Sequence, residues 1–338
     1  MDLNTLWFIL IAVLFTGYFV LEGFDFGVGI LLPFLGKNDT QRRMIINTIG
    51  PHWDGNEVWL LTAGGAMFAA FPGWYATMFS GYYLPLLLIL LALIVRGVAF
   101  EFRSLEESPK WRSFWDWMIF TGSFLPALLW GVAFASFVQG VPIDASHNFA
   151  GSFFDILTPY SLLGGLVSLC GLTAHGAVFL SLKTVEPICD RAREWAFKAW
   201  IPAAVFLGLF TVLTYLVTDI YSRVGINPGP IPIGALATFL AAGYFIRKQQ
   251  DGWAFGMTAA AILFAVATIF LFNYPNVLYS TLDPANHLTI YNSASGQVTL
   301  RTMTIIALIF VPIVLAYQGW TYWIFRKRVT ADRESLHY

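Results

Sequence analysis

The chain has 338 residues, of which 57% are hydrophobic and only 12% are charged, and its formal net charge at pH 7 is −1. About a quarter of the residues in an ordinary soluble domain are charged, and a net charge near zero leaves no electrostatic footprint for nucleic acid. The composition therefore excludes a soluble protein and a nucleic-acid-binding protein, and it indicates a protein embedded in a lipid bilayer.

Hydropathy predicts an all-α integral membrane protein with nine transmembrane helices. Apolar stretches of roughly twenty residues recur along the chain, and each is long enough to cross a hydrocarbon core of about 30 Å. The N-terminus lacks the basic region of a cleavable signal peptide, so the first helix is expected to be retained. In chain order the predicted spans are Leu6–Leu35, Asp54–Phe71, Thr77–Arg103, Phe114–Val138, Pro159–Lys183, Phe197–Tyr221, Gly229–Ile246, Trp253–Tyr274 and Arg301–Phe325.

Basic residues alternate between the predicted loops, which predicts the orientation of the chain. The loops that follow odd-numbered helices and the C-terminal tail carry Lys37, Arg42, Arg43, Lys110, Arg112, Arg191, Arg193, Lys198, Lys248, Arg326, Lys327, Arg328 and Arg333. The only basic residue in the other predicted loops is Arg223. Because basic loops stay in the cytoplasm, the N-terminus is predicted outside and the C-terminus inside.

We predict one polytopic membrane domain over residues 1–338. Residues 1–140 form helices one to four, residues 141–300 form helices five to eight, and residues 301–338 form helix nine with a basic cytoplasmic tail. The loops Val141–Thr158 and Asn273–Leu300 are long and contain no basic residue. Both are therefore predicted to lie outside the cell. Steps of small residues at 64–66 and 164–165 are expected to let helices approach closely.

Ionisable residues inside the spans are the strongest functional signal. Glu22 and Asp25 lie three residues apart in helix one, Asp54 and Glu57 have the same spacing at the start of helix two, and Arg96 lies in helix three. A spacing of three residues places both members of a pair on one helix face. In the predicted orientation all five lie in the cytoplasmic half of the membrane. They could therefore form a polar track from the cytoplasm towards the membrane centre.

A structural role for these residues is the simpler alternative, in which Arg96 neutralises one carboxylate and fixes helix packing. A single carboxylate would be enough to neutralise Arg96, but this group of residues contains four. The additional carboxylates would be costly to bury in their ionised form. Desolvation and neighbouring like charges disfavour ionisation, so such groups can take up and release protons near neutral pH. The pattern favours a proton-conducting or proton-buffering role.

Histidines are too few for this chain to hold several haems by itself. Only His52 and His175 lie in or beside a predicted span, and the sequence has no CxxCH haem-attachment motif. The two cysteines, Cys170 and Cys189, lack metal-binding spacing. We therefore predict no catalytic residue and no metal site here, and any redox chemistry must depend on another subunit. His52, Trp53 and Arg96 are candidates for a supporting or haem-proximal role, although a tryptophan there is also typical of a membrane interface.

Several motifs resemble the family of cytochrome bd ubiquinol oxidase subunit II. They include EGFDFGVGI at residues 22–30, GKNDTQRR at 36–43, GPHWDGNEVWL at 50–60, WRSFWDW at 111–117, QGVP at 139–142 and YPNVL at 274–278. The similarity extends over nearly the whole chain. The family commonly has aspartate where this chain has Glu22, so the acid is kept but its position moves by one methylene.

The resemblance implies a heterodimeric terminal oxidase that oxidises quinol and reduces dioxygen to water in the plasma membrane of a bacterium or archaeon. Subunit I would bind the quinol and ligate two b haems and one haem d, and a small accessory subunit is compatible with the family. Subunit II would support its haem-bearing partner and help to deliver cytoplasmic protons. The implied fold is two four-helix bundles plus one peripheral helix.

A proton-coupled secondary transporter or channel is the main alternative, since it would also need embedded carboxylates. Transporters often contain internal repeats and broken helices near the midplane, and no convincing repeat is evident here. A purely structural membrane scaffold would leave the surplus acids unexplained. Haem d that co-purifies with this chain would favour the oxidase.

Overall fold

The computed structural model describes residues 2–220, 227–332 and 336. Tyr221, at the end of the sixth predicted span, and the basic residues Arg223 and Arg333 lie outside the described residues. The helices are α1 Leu3–Leu35, α2 Asp39–Ile49, α3 Trp53–Ala70, α4 Pro72–Gly81, α5 Tyr83–Phe102, α6 Pro109–Gln139, α7 Phe153–Ile156, α8 Pro159–Lys183, α9 Ile188–Val217, α10 Pro230–Arg247, α11 Asp251–Asn273 and α12 Gln297–Ile324.

The predicted all-helical membrane architecture is confirmed. Within the described residues, eight helices are long and apolar enough to cross a membrane, namely α1, α5, α6, α8, α9, α10, α11 and α12. Each corresponds to one of the nine predicted spans. The remaining predicted span corresponds to α3, an 18-residue helix whose first turn contains the acid Asp54. The count of nine crossings stays a prediction.

Two predicted boundaries are wrong. The third span was predicted from Thr77, but Thr77 belongs to α4 and the next helix begins at Tyr83. Tyr82 leaves the helical conformation, and Pro85 fits the first turn of α5 because an amide hydrogen is not needed there. The sixth span was predicted from Phe197, whereas α9 begins at Ile188. Its first turns are charged and therefore carry no hydropathy signal.

Helix α1 lies at the centre of the molecule. It packs on α3 and α6 in the first part of the chain and on α8 and α11 in the second part. Within each part, α5 packs on α6, α8 on α9, and α10 on α11. The closest approach is at Gly27 of α1 and Gly176 of α8, because a Cβ atom on Gly27 would lie 2.3 Å from the carbonyl oxygen of Leu172. Only glycine permits this contact between two backbones.

The two long loops predicted to lie outside the cell meet at one end of the helices. Val141 donates its amide hydrogen to the carbonyl oxygen of Tyr279 (2.9 Å) and accepts one from Thr281 (3.0 Å). A short antiparallel pair, β1 Asn276–Leu278 and β2 Leu288–Thr289, lies in the same region. The break between α3 and α4 also faces this end, since the Ser295 amide donates to Ala70 (2.8 Å).

The basic segments meet at the opposite end. After α12, the Val329 amide donates to the carbonyl oxygen of Lys183 at the end of α8 (2.8 Å). Further along the tail, the carbonyl oxygen of Leu336 accepts a hydrogen bond from Arg43 of α2 (2.7 Å), and the Leu336 side chain is buried. Val329 and Leu336 therefore contact α8 and α2 at the basic end.

Candidate functional site

The site begins on α1, in the half of the helix that ends at Leu35 and is nearer to the basic end. Glu22 and Asp25 are both completely buried, on the face of α1 that is directed towards α3 and α5. The opposite face contains Gly23 and Gly27, which pack against α8. The two acids are therefore buried because α1 is enclosed on both sides. Their three-residue spacing, as predicted, brings them to one face.

The counter-charge is Arg96 of α5, whose side chain is also completely buried. One of its terminal nitrogens, Nη2, donates to Glu22 Oε1 and to Glu57 Oε1, the second at 2.6 Å. The guanidinium carbon lies 4.9 Å from the centroid of the Phe26 ring. Helix α6 leaves room for this side chain at Gly122, where a Cβ atom would lie 2.6 Å from the Arg96 Cβ.

Asp25 has no cationic partner in the described part of the chain. Its Oδ2 accepts a hydrogen bond from the side-chain amide of Asn56 on α3 (2.8 Å). Asn56 Oδ1 in turn accepts from the hydroxyl of Tyr322 (2.8 Å) and, at 3.4 Å, from the amide of Gln318. Gln318 Oε1 accepts from the indole nitrogen of Trp59 (2.9 Å). Helix α12 therefore contributes Gln318 and Tyr322 to the hydrogen bonds around Asn56.

The charges in this cluster do not balance. Three carboxylates, those of Glu22, Asp25 and Glu57, surround the single guanidinium of Arg96. Among the described residues, Glu22 Oε2, Asp25 Oδ1 and the Arg96 atoms Nε and Nη1 are buried without a hydrogen-bond partner. A buried polar group without a partner is costly, and an excess buried negative charge is more so. Three carboxylates and one guanidinium leave two excess negative charges, and protonation of two of the acids would remove them.

Asp54 lies apart from the buried cluster. It is exposed at the start of α3, and its Oδ1 accepts a hydrogen bond from the amide of Gly55 (2.7 Å). Glu57 lies between the two environments, because its side chain is 21% exposed while it binds the fully buried Arg96. The structure thus brings together Glu22, Glu57 and Arg96 with Asp25 close by, and it leaves Asp54 at the basic end.

The two residues that precede Asp54 are packed against aromatic rings. The His52 ring stacks on Tyr322 with centroids 4.2 Å apart, and burial lowers the pKa of His52 to about 4, with a smaller effect from Lys183. Trp53 packs on Phe100, with ring centroids 5.2 Å apart. His52 is therefore neutral near pH 7, which makes it unsuitable as a proton carrier.

His175 is not free to ligate a haem iron. Both ring nitrogens of His175 are engaged, Nδ1 with Thr258 Oγ1 (2.7 Å) and Nε2 with the carbonyl oxygen of Val20 (3.1 Å). The face of the His52 ring stacks on Tyr322, and its Nδ1 is buried without a hydrogen-bond partner among the described residues. Within the described ranges no group of three histidine, cysteine or acidic side chains is placed to hold a metal. Cys170 and Cys189 are free.

Sequence reasoning missed two groups of polar residues. The first comprises Asn56, Gln318 and Tyr322, and the two amides could have been noticed as rare polar residues within apolar spans. The second is an ion-pair network at the basic end. In it Asp116 binds Arg42 (2.7 Å) and Arg103 (2.6 Å), while Asp39 binds Arg103 (2.9 Å) and Arg112 (2.8 Å). This network joins α2 to α5 and α6, and its charges are largely paired.

Comparisons with known proteins agree on one family. A family model described as cytochrome bd terminal oxidase subunit II matches residues 3–325. The chain is 48% identical to the cytochrome bd ubiquinol oxidase subunit 2 of Bacillus subtilis (strain 168), covering 100% of this chain and 99% of that relative. It is 38% identical to the cytochrome bd-I ubiquinol oxidase subunit 2 of Escherichia coli (strain K12), covering 98% and 96%. The solved structure of bd oxidase from Geobacillus thermodenitrificans has the same fold, with a TM-score of 0.77, 17% identity and coverage of 96% and 99%.

Proposed function

This chain belongs to the cytochrome bd terminal oxidase subunit II family, and we propose from that premise that its buried acid cluster passes protons from the basic end of the molecule towards the oxygen-reducing centre of the complex. The chain is a subunit of a quinol oxidase, an oxidoreductase complex that contains haem and a partner oxidase subunit. The comparisons give no support to the alternative of a proton-coupled transporter.

One observation carries the proposal, namely the surplus of buried acid around Arg96. Glu22 and Glu57 share its guanidinium, and Asp25 accepts a hydrogen bond from the amide of Asn56 without a direct ion pair among the described residues. A structural ion pair needs only one acid for one base. The excess in the acid cluster must be neutralised by protons, and groups in that state are suited to proton transfer.

The order of the acids suggests a direction of transfer. Asp54 is exposed at the basic end, Glu57 is partly exposed, and Glu22 and Asp25 are fully buried. Exposure therefore falls along the series from the end predicted to face the cytoplasm to the interior. We propose that Asp54 collects protons, that Glu57 passes them inward, and that Glu22 and Asp25 hold them inside the protein.

The test uses the complete, purified oxidase with Asp25→Asn, which keeps the shape of the side chain and removes its titratable proton. Electron transfer from quinol into the haems should stay fast, whereas steady-state oxygen consumption should fall by about 100-fold, the lower end of the range for general acid–base groups. Asp54→Asn should produce a smaller loss, because bulk water can replace an exposed collector. Stopped-flow haem reduction and an oxygen electrode measure the two rates.

Glu106→Gln is the matched control, since Glu106 is an exposed acid at the same end of the molecule. It should leave both rates unchanged. A fully assembled Asp25→Asn oxidase with normal oxygen consumption from pH 6 to pH 9 would falsify the proton role. If Asp25 were merely structural, haem content and assembly would fall together with the rate of oxygen consumption.

We also propose that the partner subunit ligates two b haems and one haem d and binds the quinol. His175 supports that assignment, because both of its ring nitrogens are already engaged. In this arrangement haem supplies the electron chemistry, while this chain binds its partner and moves protons. The chain purified alone should lack the full haem complement in its absorption spectrum. A small accessory subunit would be detected by mass spectrometry of the intact complex.

For the membrane arrangement we propose nine crossings of a bacterial plasma membrane, with the N-terminus outside. Support comes from the grouping of basic segments at one end and of the two long loops free of basic residues at the other. A reporter fused after Phe325 should be active only in the cytoplasm, and a reporter inserted within residues 276–297 only outside. The reverse result at either position would contradict the nine-helix arrangement.

A further inference from the structure

The side-chain amide of Asn56 has two possible orientations, which differ by exchange of its nitrogen and oxygen. The orientation decides whether Asp25 faces a hydrogen-bond donor or an acceptor. With Nδ2 directed at Asp25, the amide donates a hydrogen bond to the carboxyl oxygen. With Oδ1 directed at Asp25, only a protonated aspartic acid could donate back. A hydrogen bond donated to the carboxyl group favours its charged form. The neighbours of Asn56 therefore influence the protonation of an acid that they do not touch.

The direction is set by a chain of donors that starts at Trp59. An indole nitrogen can only donate, so the atom of Gln318 that accepts its hydrogen bond at 2.9 Å must be the oxygen Oε1. The Nε2 group of Gln318 is then directed at Asn56 Oδ1, at 3.4 Å. This leaves Nδ2 of Asn56 directed at Asp25 Oδ2, at 2.8 Å. The donor and acceptor in each of these three hydrogen bonds are therefore determined by the indole nitrogen of Trp59.

Two further contacts hold this arrangement. The Tyr322 hydroxyl also donates to Asn56 Oδ1, at the shorter distance of 2.8 Å. The Trp59 ring is itself fixed against α1, because a Cβ atom on Gly17 would lie 2.2 Å from its Cε3. If Asn56 were reversed, its Nδ2 would face the Nε2 group of Gln318, and the Tyr322 hydroxyl would have to accept a hydrogen bond where it now donates one. The reversed orientation therefore opposes two donors and loses the hydrogen bond from Gln318.

Helix α12 has few other contacts with the rest of the described chain. Most of its middle is exposed, including Ile309, Val314 and Trp320. At its start, Trp7 of α1 donates to the carbonyl oxygen of Leu300 (3.1 Å). Among the polar side chains of α12, those of Gln318 and Tyr322 are directed at Asn56. This convergence on one amide identifies what they do.

We propose that Gln318 and Tyr322 are positioning residues that hold the Asn56 amide as a hydrogen-bond donor to Asp25 and thereby favour its carboxylate form. The inference rests on the proposed function, since it assigns to α12 the control of an acid in the proton path. Neither residue exchanges a proton with the path itself. They act through Asn56, whose orientation they fix.

The experiment follows Asp25 directly in the purified oxidase complex. Its protonated carboxyl group is observed by infrared spectroscopy, and the band is identified by its absence from Asp25→Asn. Gln318→Met keeps the length of the side chain and removes both hydrogen-bonding atoms. The midpoint pH of the carboxyl band should rise by about one unit, because the carboxylate loses an oriented donor. Trp59→Phe and Tyr322→Phe should shift the midpoint in the same direction.

An Asn56→Ala background separates this mechanism from a general loosening of the helix. There, Gln318→Met should produce no additional shift, because the group through which it acts is gone. Trp320→Phe, an exposed aromatic change on the same helix, should leave the midpoint unchanged. A shift that persists without Asn56 would overturn the inference, as would unchanged midpoints in assembled Gln318→Met and Tyr322→Phe complexes. If Gln318→Met does not assemble, Tyr322→Phe decides the question alone.

Failure of this inference is distinguishable from failure of the proton role. Unchanged midpoints together with slow oxygen consumption in Asp25→Asn would overturn only the role of α12. Shifted midpoints together with normal oxygen consumption in Asp25→Asn would overturn the proton role and leave the positioning intact. An Asp25 carboxyl that stays in one form from pH 5 to pH 10 in every variant would overturn the positioning as stated.

Discussion

The two faces of α1 differ in charge and in hydrogen bonding. Towards α3 and α5, α1 contributes Glu22 and Asp25, and the cluster that they form contains surplus charge and buried atoms without partners. Towards α8 and α11, it contributes glycines in backbone contact and the carbonyl oxygen of Val20, which His175 binds. The second face is neutral, and both nitrogens of its histidine have partners. A face that is satisfied in this way serves to hold helices together, whereas the unsatisfied face is the one at which we propose that protons are exchanged.

The largest effect is expected on the charged face, from removal of its single cation. Arg96→Met leaves the buried Glu22 and the partly exposed Glu57 without a counter-charge, which should cost about 3–5 kcal/mol of stability. The thermal midpoint and the yield of the haem-containing complex measure this loss. Arg193→Met is the matched control: Arg193 is partly exposed and pairs with Asp251 at 2.6 Å, so its loss should cost about 1 kcal/mol or less. Equal losses from both variants would contradict the special status of Arg96.

A somewhat smaller effect is expected on the neutral face, from a single methyl group. Gly27→Ala places a Cβ atom 2.3 Å from the Leu172 carbonyl oxygen, so α1 and α8 must separate. Such overpacking should cost about 1–3 kcal/mol, measured as a lower thermal midpoint of the complex. In Gly208→Ala the added Cβ has no described atom within 4 Å, so the same change should be neutral or slightly stabilising. If Gly27→Ala behaved like Gly208→Ala, the two backbones would not be in contact.

The smallest effect is expected from Thr258→Val, which removes the partner of His175 Nδ1 on the neutral face. The loss of one hydrogen bond should cost about 1 kcal/mol, observed as a small decrease in the thermal midpoint. Oxygen consumption per assembled complex should stay unchanged at every pH, in contrast to the variants of Asp25. A change in its pH profile would mean that the neutral face also takes part in proton transfer.

The burial of Glu22 and Asp25 was predictable from the sequence, because the apolar residues around them already indicated a transmembrane helix. A carboxylate in an apolar run of about thirty residues must be buried in protein or shielded from lipid, so Glu22 and Asp25 were identifiable before any contact was known. Asp54 looked equivalent to Glu57 for the same reason. The helix turns Asp54 outward at its first turn, and the hydropathy of a sequence does not contain that rotation. Whether Asp54 collects protons stays a prediction.

What the sequence by itself determined is the membrane environment, the family and the presence of surplus embedded acid, because each depends on composition or local order. The tertiary structure alone decided which acids share Arg96, which side of α1 is neutral, and that Gln318 and Tyr322 reach Asn56 across more than 260 residues of chain. The physical reason is that hydrogen bonds and ion pairs act over a few ångströms, and the helices that carry these groups are brought together only by folding.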